Sequence, residues 1–164
     1  MTETSQKQPF HILLVEDSLA HAELVKRSFE DLRDDIRLTH MKDGQAAIDW
    51  LFAEGEYAGW DLDIPHVVLL DLRLPRVDGL EVLKRIKSDP GMNKVPVIIL
   101  TTSAAEKDVA MSYSIHANSY LVKPMEFDRF KQLMGDVANY WLRANQDPWD
   151  SEQSSSELGL KDLI

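Results

Sequence analysis

The sequence predicts an α/β fold in which a doubly wound sheet of five parallel strands carries helices on both faces. Short apolar runs alternate with longer amphipathic runs along the chain, the pattern of βα units in a covered parallel sheet. Acidic residues directly follow two of the apolar runs, where such sheets place their chemistry. The 164 residues suffice for one hydrophobic core but not for two. We therefore expect one domain at residues 10–143, preceded by a flexible N-terminus at 1–9.

Each predicted strand is a short apolar run followed by a polar or turn-forming residue. The runs lie at 11–15, 37–41, 66–70, 95–100 and 119–122. Between and after them, apolar residues recur at intervals of three and four, as on one face of a helix. This spacing predicts helices at 20–31, 45–54, 80–88, 106–115 and 126–143.

The last predicted helix carries a long apolar stripe. The stripe consists of Phe127, Phe130, Leu133, Met134, Val137, Tyr140 and Trp141. Its ordinary role is to face the core, and the alternative is that its far end passes the sheet edge and covers a partner. The segment 144–164 is acidic and rich in serine, which favours a disordered tail. Its apolar residues make a dimerisation arm the alternative; they are Trp149, Leu158, Leu160, Leu163 and Ile164.

The composition excludes several classes of protein. Lys and Arg number 18 against 28 Asp and Glu, a formal net charge of −10, which argues against binding nucleic-acid phosphates. The absence of cysteine excludes disulfides, thiolate zinc sites and cysteine nucleophiles. No apolar run approaches the roughly 18 residues that span a bilayer, and the N-terminus is polar rather than a signal peptide. We expect a cytoplasmic protein without a nucleic-acid or membrane partner.

Three carboxylates follow predicted strands. Glu16 and Asp17 come after the first strand and Asp71 after the third. In a sheet of order 2-1-3-4-5 these strands are neighbours, so their carboxyl ends bring the three residues together. Clustered carboxylates raise one another's pKa unless a cation lies among them, and all-oxygen ligation is typical of Mg²⁺. A Glu-Asp pair alone is as often a helix N-cap, but the matching Asp71 favours a magnesium site.

A hydroxyl and an ammonium follow the next two strands. Thr101 ends the fourth strand, and Lys123 follows the fifth. At the rim of an acidic pocket they could hold the oxygens of a phosphoryl group. Taken singly, Thr101 is typical of a strand-end cap and Lys123 of a solvated surface charge. Their position beside three acids favours one common site.

Four segments in order resemble the receiver domain of two-component response regulators. The resemblance covers about residues 10–142, and its segments are 12–17 (ILLVED), 69–79 (LLDLRLPRVDG), 96–101 (PVIILT) and 120–124 (YLVKP). It implies a flavodoxin-like receiver fold and a stand-alone phosphorelay switch, not an enzyme. The implied partner is a sensor histidine kinase.

The resemblance also implies a role for each acidic residue. Asp71 would be the phosphoacceptor, which attacks the phosphohistidine of the kinase and forms an acyl phosphate. Asp17, Asp71 and the backbone carbonyl of Arg73 would ligate Mg²⁺ directly, and Glu16 would act through a water. Arg73 stands two residues after the acceptor, where its side chain could reach the pocket and alter the lifetime of the acyl phosphate.

Further implied roles concern the other rim of the pocket. Thr101 and Lys123 would hold the phosphoryl oxygens, and the Lys123–Pro124 bond would be cis. Tyr120 would be the switch aromatic, whose ring turns inward when Thr101 moves toward the phosphoryl group; a half-buried strand aromatic is the alternative. His116 stands where receivers usually have glycine, so an unusual backbone is expected there, without a metal role.

Shorter segments resemble the phytochrome-associated response regulators of bacteria and cyanobacteria. They include residues 54–58, 86–90, 112–113 and 140–142. This resemblance implies a phytochrome as the kinase and a homodimer formed through the fifth helix and the tail.

Two other classes of function stay open. A magnesium phosphohydrolase of the haloacid dehalogenase type would use Asp71 as nucleophile, but such enzymes usually carry a second Asp where this chain has Arg73. A dimeric scaffold that is never phosphorylated would tolerate loss of the pocket, whose residues are all present.

Overall fold

Five parallel strands form one sheet at the centre of the molecule. The computed structural model describes residues 8–146, with the strands in the order β2-β1-β3-β4-β5. Their bounds are β1 Phe10–Val15, β2 Ile36–Met41, β3 Val67–Leu70, β4 Val97–Thr101 and β5 Ser119–Val122. The predicted fold class and strand order are confirmed.

Helices connect the strands and cover both faces of the sheet. Ser18, Asp43 and Asp78 begin the first three, since each side chain accepts a hydrogen bond from a backbone N–H of the first turn. The helices are α1 Leu19–Glu30, α2 Gly44–Leu51, α3 Gly79–Ser88, α4 Glu106–Ser114 and α5 Phe127–Asn139. Polar caps therefore place three helix starts near the carboxyl ends of the strands.

The core has two layers, one on each side of the sheet. Alternate residues of β1 point to opposite faces: Leu13 and Val15 pack with α2 and α3, whereas Ile12 and Leu14 pack with α1 and α5. The strands β1, β3 and β4 are buried along their whole length. Their carboxyl ends, where the predicted site lies, are thus held from both sides.

The helix α2 ends earlier than predicted. It stops at Leu51, whereas the apolar spacing predicted a helix to 54. Ala53 adopts a left-handed backbone with φ of 50°, which cannot continue an α-helix. A short 3₁₀ turn follows at Gly55–Tyr57.

The prediction of one continuous helix at 126–143 was wrong at its end. The α-helix stops at Asn139 and a π-helical turn spans Tyr140–Ala144, closed by a hydrogen bond from the Asn145 N–H to the Tyr140 carbonyl at 2.8 Å. The apolar stripe is only partly buried. Phe127 and Tyr140, near its two ends, are exposed, whereas Phe130, Met134 and Val137 between them are buried.

Part of the predicted organisation lies outside residues 8–146. This applies to the tail residues Trp149, Leu158, Leu160, Leu163 and Ile164 and to most of the N-terminus at 1–9. The domain limits at 10 and 143 therefore stay predictions. Among the described residues, no helix combines the length and the apolar character needed to cross a bilayer.

A buried histidine lies at the end of the sheet opposite the predicted site. Arg37 Nη2 donates to His11 Nδ1, and His11 Nε2 contacts Thr39 Oγ1, both at 2.8 Å. The ring also meets Trp50 edge to face. Burial, followed by the charge of Arg37, lowers the pKa of His11 to about 4. His11 is therefore neutral in the folded protein at neutral pH.

We predict that this histidine makes the fold sensitive to mild acid. The unfolded chain binds the His11 proton below about pH 6.5, whereas the folded chain does so only near pH 4, so stability falls as pH falls through this window. The loss is about 3 kcal/mol at most. Urea unfolding between pH 7 and pH 4 measures it, with His11→Gln as comparison. Equal pH slopes for both proteins would contradict the prediction.

Candidate functional site

Three carboxylates meet at the carboxyl ends of β1 and β3. Val15 pairs with Leu70 in the sheet register, so the residues that follow, Glu16 and Asp71, are neighbours. Glu16, Asp17 and Asp71 each offer a carboxylate oxygen within 4.8 Å of the others. Glu16 and Asp71 are buried, and Asp17 lies exposed at the rim. The structure thus brings together the three acids that the sequence placed at one edge.

The ammonium of Lys123 lies within this cluster. It donates to Glu16 Oε2, to Asp71 Oδ2 at 3.0 Å and to His21 Nδ1 at 3.2 Å. The three contacts match the three N–H groups of a lysine. Lys123 is buried, so the alternative of a solvated surface charge was wrong.

The charges of the pocket fit a divalent cation. Three carboxylates face one ammonium, which leaves an excess of two negative charges. Burial raises the pKa of Glu16, against the hydrogen bond and the charge of Lys123. Mg²⁺ and Mn²⁺ prefer sites whose ligands are all oxygen atoms and that have one side open. Glu16, Asp17 and Asp71 are therefore the residues that could hold such an ion.

Two glycines hold the loop that carries Asp71. A Cβ on Gly79 would lie 2.1 Å from the Asp71 carbonyl oxygen, and a Cβ on Gly44 would lie 1.9 Å from that of Val77. The Gly79 N–H donates to the carbonyl of Leu72 at 2.9 Å. No larger side chain fits either position unless the backbone moves. The sequence motif contained Gly79, but the reason for it is this close approach.

Thr101 and Tyr120 lie on the neighbouring strands. Thr101 is buried at the end of β4, and its carbonyl accepts from the Lys123 N–H at 2.7 Å. Tyr120 is half-buried, and its hydroxyl donates to the Ser103 carbonyl at 2.8 Å. Burial raises the pKa of Tyr120, as do the charges of Asp108 and Asp71. The ring is thus tied to the loop after Thr101.

Two expectations about the backbone had opposite outcomes. The prediction of a cis Lys123–Pro124 bond was wrong, since residues 8–146 contain no cis peptide bond. Trans is the intrinsic preference even before proline, and Lys123 reaches Asp71 from the trans chain. The unusual backbone expected at His116 is present, with φ of 70°.

The side chain of Arg73 does not turn into the pocket as expected. Its backbone N–H donates to Asp71 Oδ1 at 3.2 Å, but its Nη2 donates to Asp108 Oδ2 on α4 at 2.6 Å. The reason is electrostatic: Lys123 already supplies a positive charge to Asp71, whereas Arg73 supplies one to the buried Asp108.

Three residues of this region were not predicted from the sequence: His21, Ser103 and Asp108. His21 accepts from Lys123, and Asp108 accepts from both Arg73 and Ser103. An acid in the first turn of a helix is ordinary because of the helix dipole, so Asp108 gave no signal. His21 lies 102 residues from Lys123, and no local pattern reports such a pair.

Comparison with protein families and curated proteins gives consistent matches. A family model for the response regulator receiver domain matches residues 12–134. The chain is 45% identical over 142 residues to the probable methanogenesis regulatory protein FilR2 of Methanothrix harundinacea, covering 87% of this chain and 90% of that one. It is 43% identical over 135 residues to the response regulator Rcp1 of Synechocystis, covering 82% and 90%.

Solved structures agree with these matches. The Mn²⁺-bound form of Rcp1 superposes with a TM-score of 0.80 at 39% identity, covering 85% of this chain and 99% of that one. The phosphorylated cyanobacterial phytochrome response regulator RcpA superposes with a TM-score of 0.80 at 36% identity, with the same two coverages, 85% and 99%.

We predict that Asp17 contributes to binding of a divalent cation without supporting the fold. Asp17→Asn removes one negative ligand from an exposed position, so the affinity for Mn²⁺ should fall by about tenfold or more, while stability changes by less than about 0.5 kcal/mol. Calorimetric titration with Mn²⁺ measures the affinity and urea unfolding the stability. The control is Asp61→Asn, an exposed acid outside the pocket. Equal affinities for both variants would contradict the prediction.

Proposed function

This chain belongs to the response regulator receiver domain family and acts in phosphorelay signalling, and on that premise we propose that a sensor histidine kinase phosphorylates it on Asp71. The observation that carries the proposal is the contact between Lys123 Nζ and Asp71 Oδ2 at 3.0 Å, within a cluster that also holds Glu16 and Asp17. A carboxylate that is buried, paired with an ammonium and beside a potential cation site is suited to attack phosphorus.

In the proposed reaction an Asp71 carboxylate oxygen attacks the phosphorus of a phosphohistidine. The new O–P bond forms as the N–P bond breaks, and the histidine nitrogen keeps the electron pair and takes up a proton. Lys123 then holds a phosphoryl oxygen in place of the carboxylate oxygen, and Thr101 holds another from the end of β4. His21 Nδ1 also faces the Lys123 ammonium at 3.2 Å, so this contact of the ammonium can persist during the exchange.

Mg²⁺ is the cation proposed for the site. Asp17, Asp71 and the Arg73 carbonyl would hold it, with Glu16 acting through a water. When bound, the ion would neutralise the charge on the oxygens of the transferring phosphoryl group. The support from this chain is the unbalanced negative charge of the three carboxylates, and the support from a relative is the Mn²⁺ in the structure of Rcp1.

Apolar side chains around the pocket offer a docking surface for the kinase. Leu19 follows the acidic pair, and Met125 and Phe127 follow Lys123; all three are exposed. Exposed apolar groups beside a reactive centre are typical of a protein contact. The likeness to RcpA supports a phytochrome as the kinase. We propose the cytoplasm as the location of the exchange.

Two alternatives have weaker support. A phosphohydrolase of the haloacid dehalogenase type, with Asp71 as nucleophile, would usually carry a second Asp at the position that Arg73 occupies. Steady release of phosphate from p-nitrophenyl phosphate would favour this alternative. A scaffold that is never phosphorylated would not require the buried contact between Lys123 and Asp71.

We predict that Asp71 is the phosphorylated residue. Incubation with acetyl phosphate and Mg²⁺ should add one phosphoryl group to the wild type and none to Asp71→Asn, because the amide cannot form the acyl phosphate. Intact-protein mass with and without Mg²⁺ measures the adduct. Asp34→Asn, an exposed acid away from the pocket, is the matched control and should react like the wild type. An adduct on Asp71→Asn would contradict the assignment.

We also predict a homodimer formed through α5 and the tail. Tyr140 is exposed in the π-helical turn directly after α5, and Val122 is exposed on β5. Trp141 lies edge to face on Tyr140. Sedimentation at tens of micromolar should give a dimer, and Tyr140→Asp should shift it toward monomer without changing phosphorylation by acetyl phosphate. A monomeric wild type under these conditions would contradict the prediction.

A further inference from the structure

A buried carboxylate on α4 has no part in the proposed phosphoryl chemistry. Asp108 lies in the first turn of α4 and is buried. Its Oδ2 accepts from Arg73 Nη2 and from Ser103 Oγ, each at 2.6 Å. A carboxylate taken out of water needs such partners, so Asp108 depends on both of these contacts.

These contacts tie together two loops that border Asp71. Arg73 stands two residues after Asp71, and its own backbone N–H donates to Asp71 Oδ1 at 3.2 Å. Ser103 stands two residues after Thr101, and its carbonyl accepts from the Tyr120 hydroxyl at 2.8 Å. Asp108 is therefore the point where the loop of the phosphoacceptor, the loop after β4 and the helix α4 meet.

The helix α4 has little else to hold its N-terminus. Its buried residues are Asp108 and Ser112, neither of them apolar, and its N-cap residue, Ala105, makes no side-chain cap. By contrast, α3 buries Val82, Leu83 and Ile86. A polar contact in place of apolar packing can be exchanged for another polar contact at small cost.

Phosphorylation creates a competitor for the guanidinium of Arg73. The acyl phosphate carries close to two negative charges and three acceptor oxygens, to which arginine binds strongly. The Arg73 side chain is 63% exposed and its Asp108 partner 7%. Because the guanidinium is largely solvated, a stronger acceptor nearby can compete for it.

Resting on the proposed phosphorylation of Asp71, we propose that Asp108 is a positioning residue: it keeps the Arg73 guanidinium on α4 until Asp71 is phosphorylated, and then releases it to the phosphoryl group. The release leaves Asp108 with Ser103 alone and frees the first turn of α4. The same helix exposes Met111 and Tyr113, so the state of Asp71 is transmitted to that surface.

The test is the affinity for beryllium trifluoride, a mimic of the phosphoryl group on a carboxylate, measured by calorimetric titration in Mg²⁺. Asp108→Asn keeps an oxygen that accepts from Ser103 but loses the charge that holds Arg73. We expect it to bind the mimic about threefold more tightly or better than the wild type. Arg85→Ala, which removes a guanidinium from Glu54 elsewhere on the surface, is the matched control and should leave the affinity unchanged.

A double variant separates positioning from a structural role. In the Arg73→Ala background, Asp108→Asn should change the affinity less than twofold, because there is no guanidinium to release. If the gain persists in that background, or if Asp108→Asn alone gains nothing, the proposal is wrong. Arg73 is exposed, so Arg73→Ala leaves the core intact. The comparison of the single and double variants therefore does not depend on disruption of the core.

Hydrogen exchange of the amides of residues 106–112 supplies the second readout. The mimic should accelerate their exchange in the wild type, and Asp108→Asn should exchange fast without it. Equal protection in all states would overturn the release of α4. If the wild type binds no mimic, as expected for Asp71→Asn, the proposed function fails and the inference fails with it. If the wild type binds and Asp108→Asn matches it, the inference alone fails.

Discussion

The buried contact of Lys123 with Glu16 and Asp71 is the interaction on which the site depends. A carboxylate buried without a partner is costly, and a buried ion pair is tolerated only when its hydrogen bonds are complete. The ammonium of Lys123 meets three acceptors, among them His21 Nδ1. Lys123 therefore stabilises two buried carboxylates at the strand ends. The pocket still carries an excess of negative charge, which favours the binding of a metal ion.

The fold places these groups because its central strands cannot shift. The strands β1 and β3 are buried on both faces, so a slip of one residue would move apolar side chains to the wrong layer. The loop after β3 is held as closely, since Gly79 lies against the Asp71 backbone and Gly44 against that of Val77. The residues of the candidate site thus lie at rigid strand ends beside a tightly packed loop.

The helix α4 differs in kind from the other helices around the sheet. Apolar side chains hold α1, α3 and α5, whereas α4 buries only Asp108 and Ser112 among the described residues. Apolar packing resists displacement in proportion to the area buried, while hydrogen bonds can be exchanged with new partners. In the proposed mechanism, a change of charge at Asp71 would therefore act on α4 rather than on the helices that apolar packing holds.

Hydrophobic periodicity predicts the five strands, and local sequence places Glu16, Asp17 and Asp71 directly after two of them, because these patterns are read from neighbouring residues. The strand order that brings the three acids together follows from the resemblance to receiver domains. The contacts of Arg73 with Asp108 and of Lys123 with His21 join residues 35 and 102 positions apart and emerge only from the folded chain. The same holds for the end of α5. Such contacts depend on which side chains packing brings within hydrogen-bond distance, and no local periodicity encodes that.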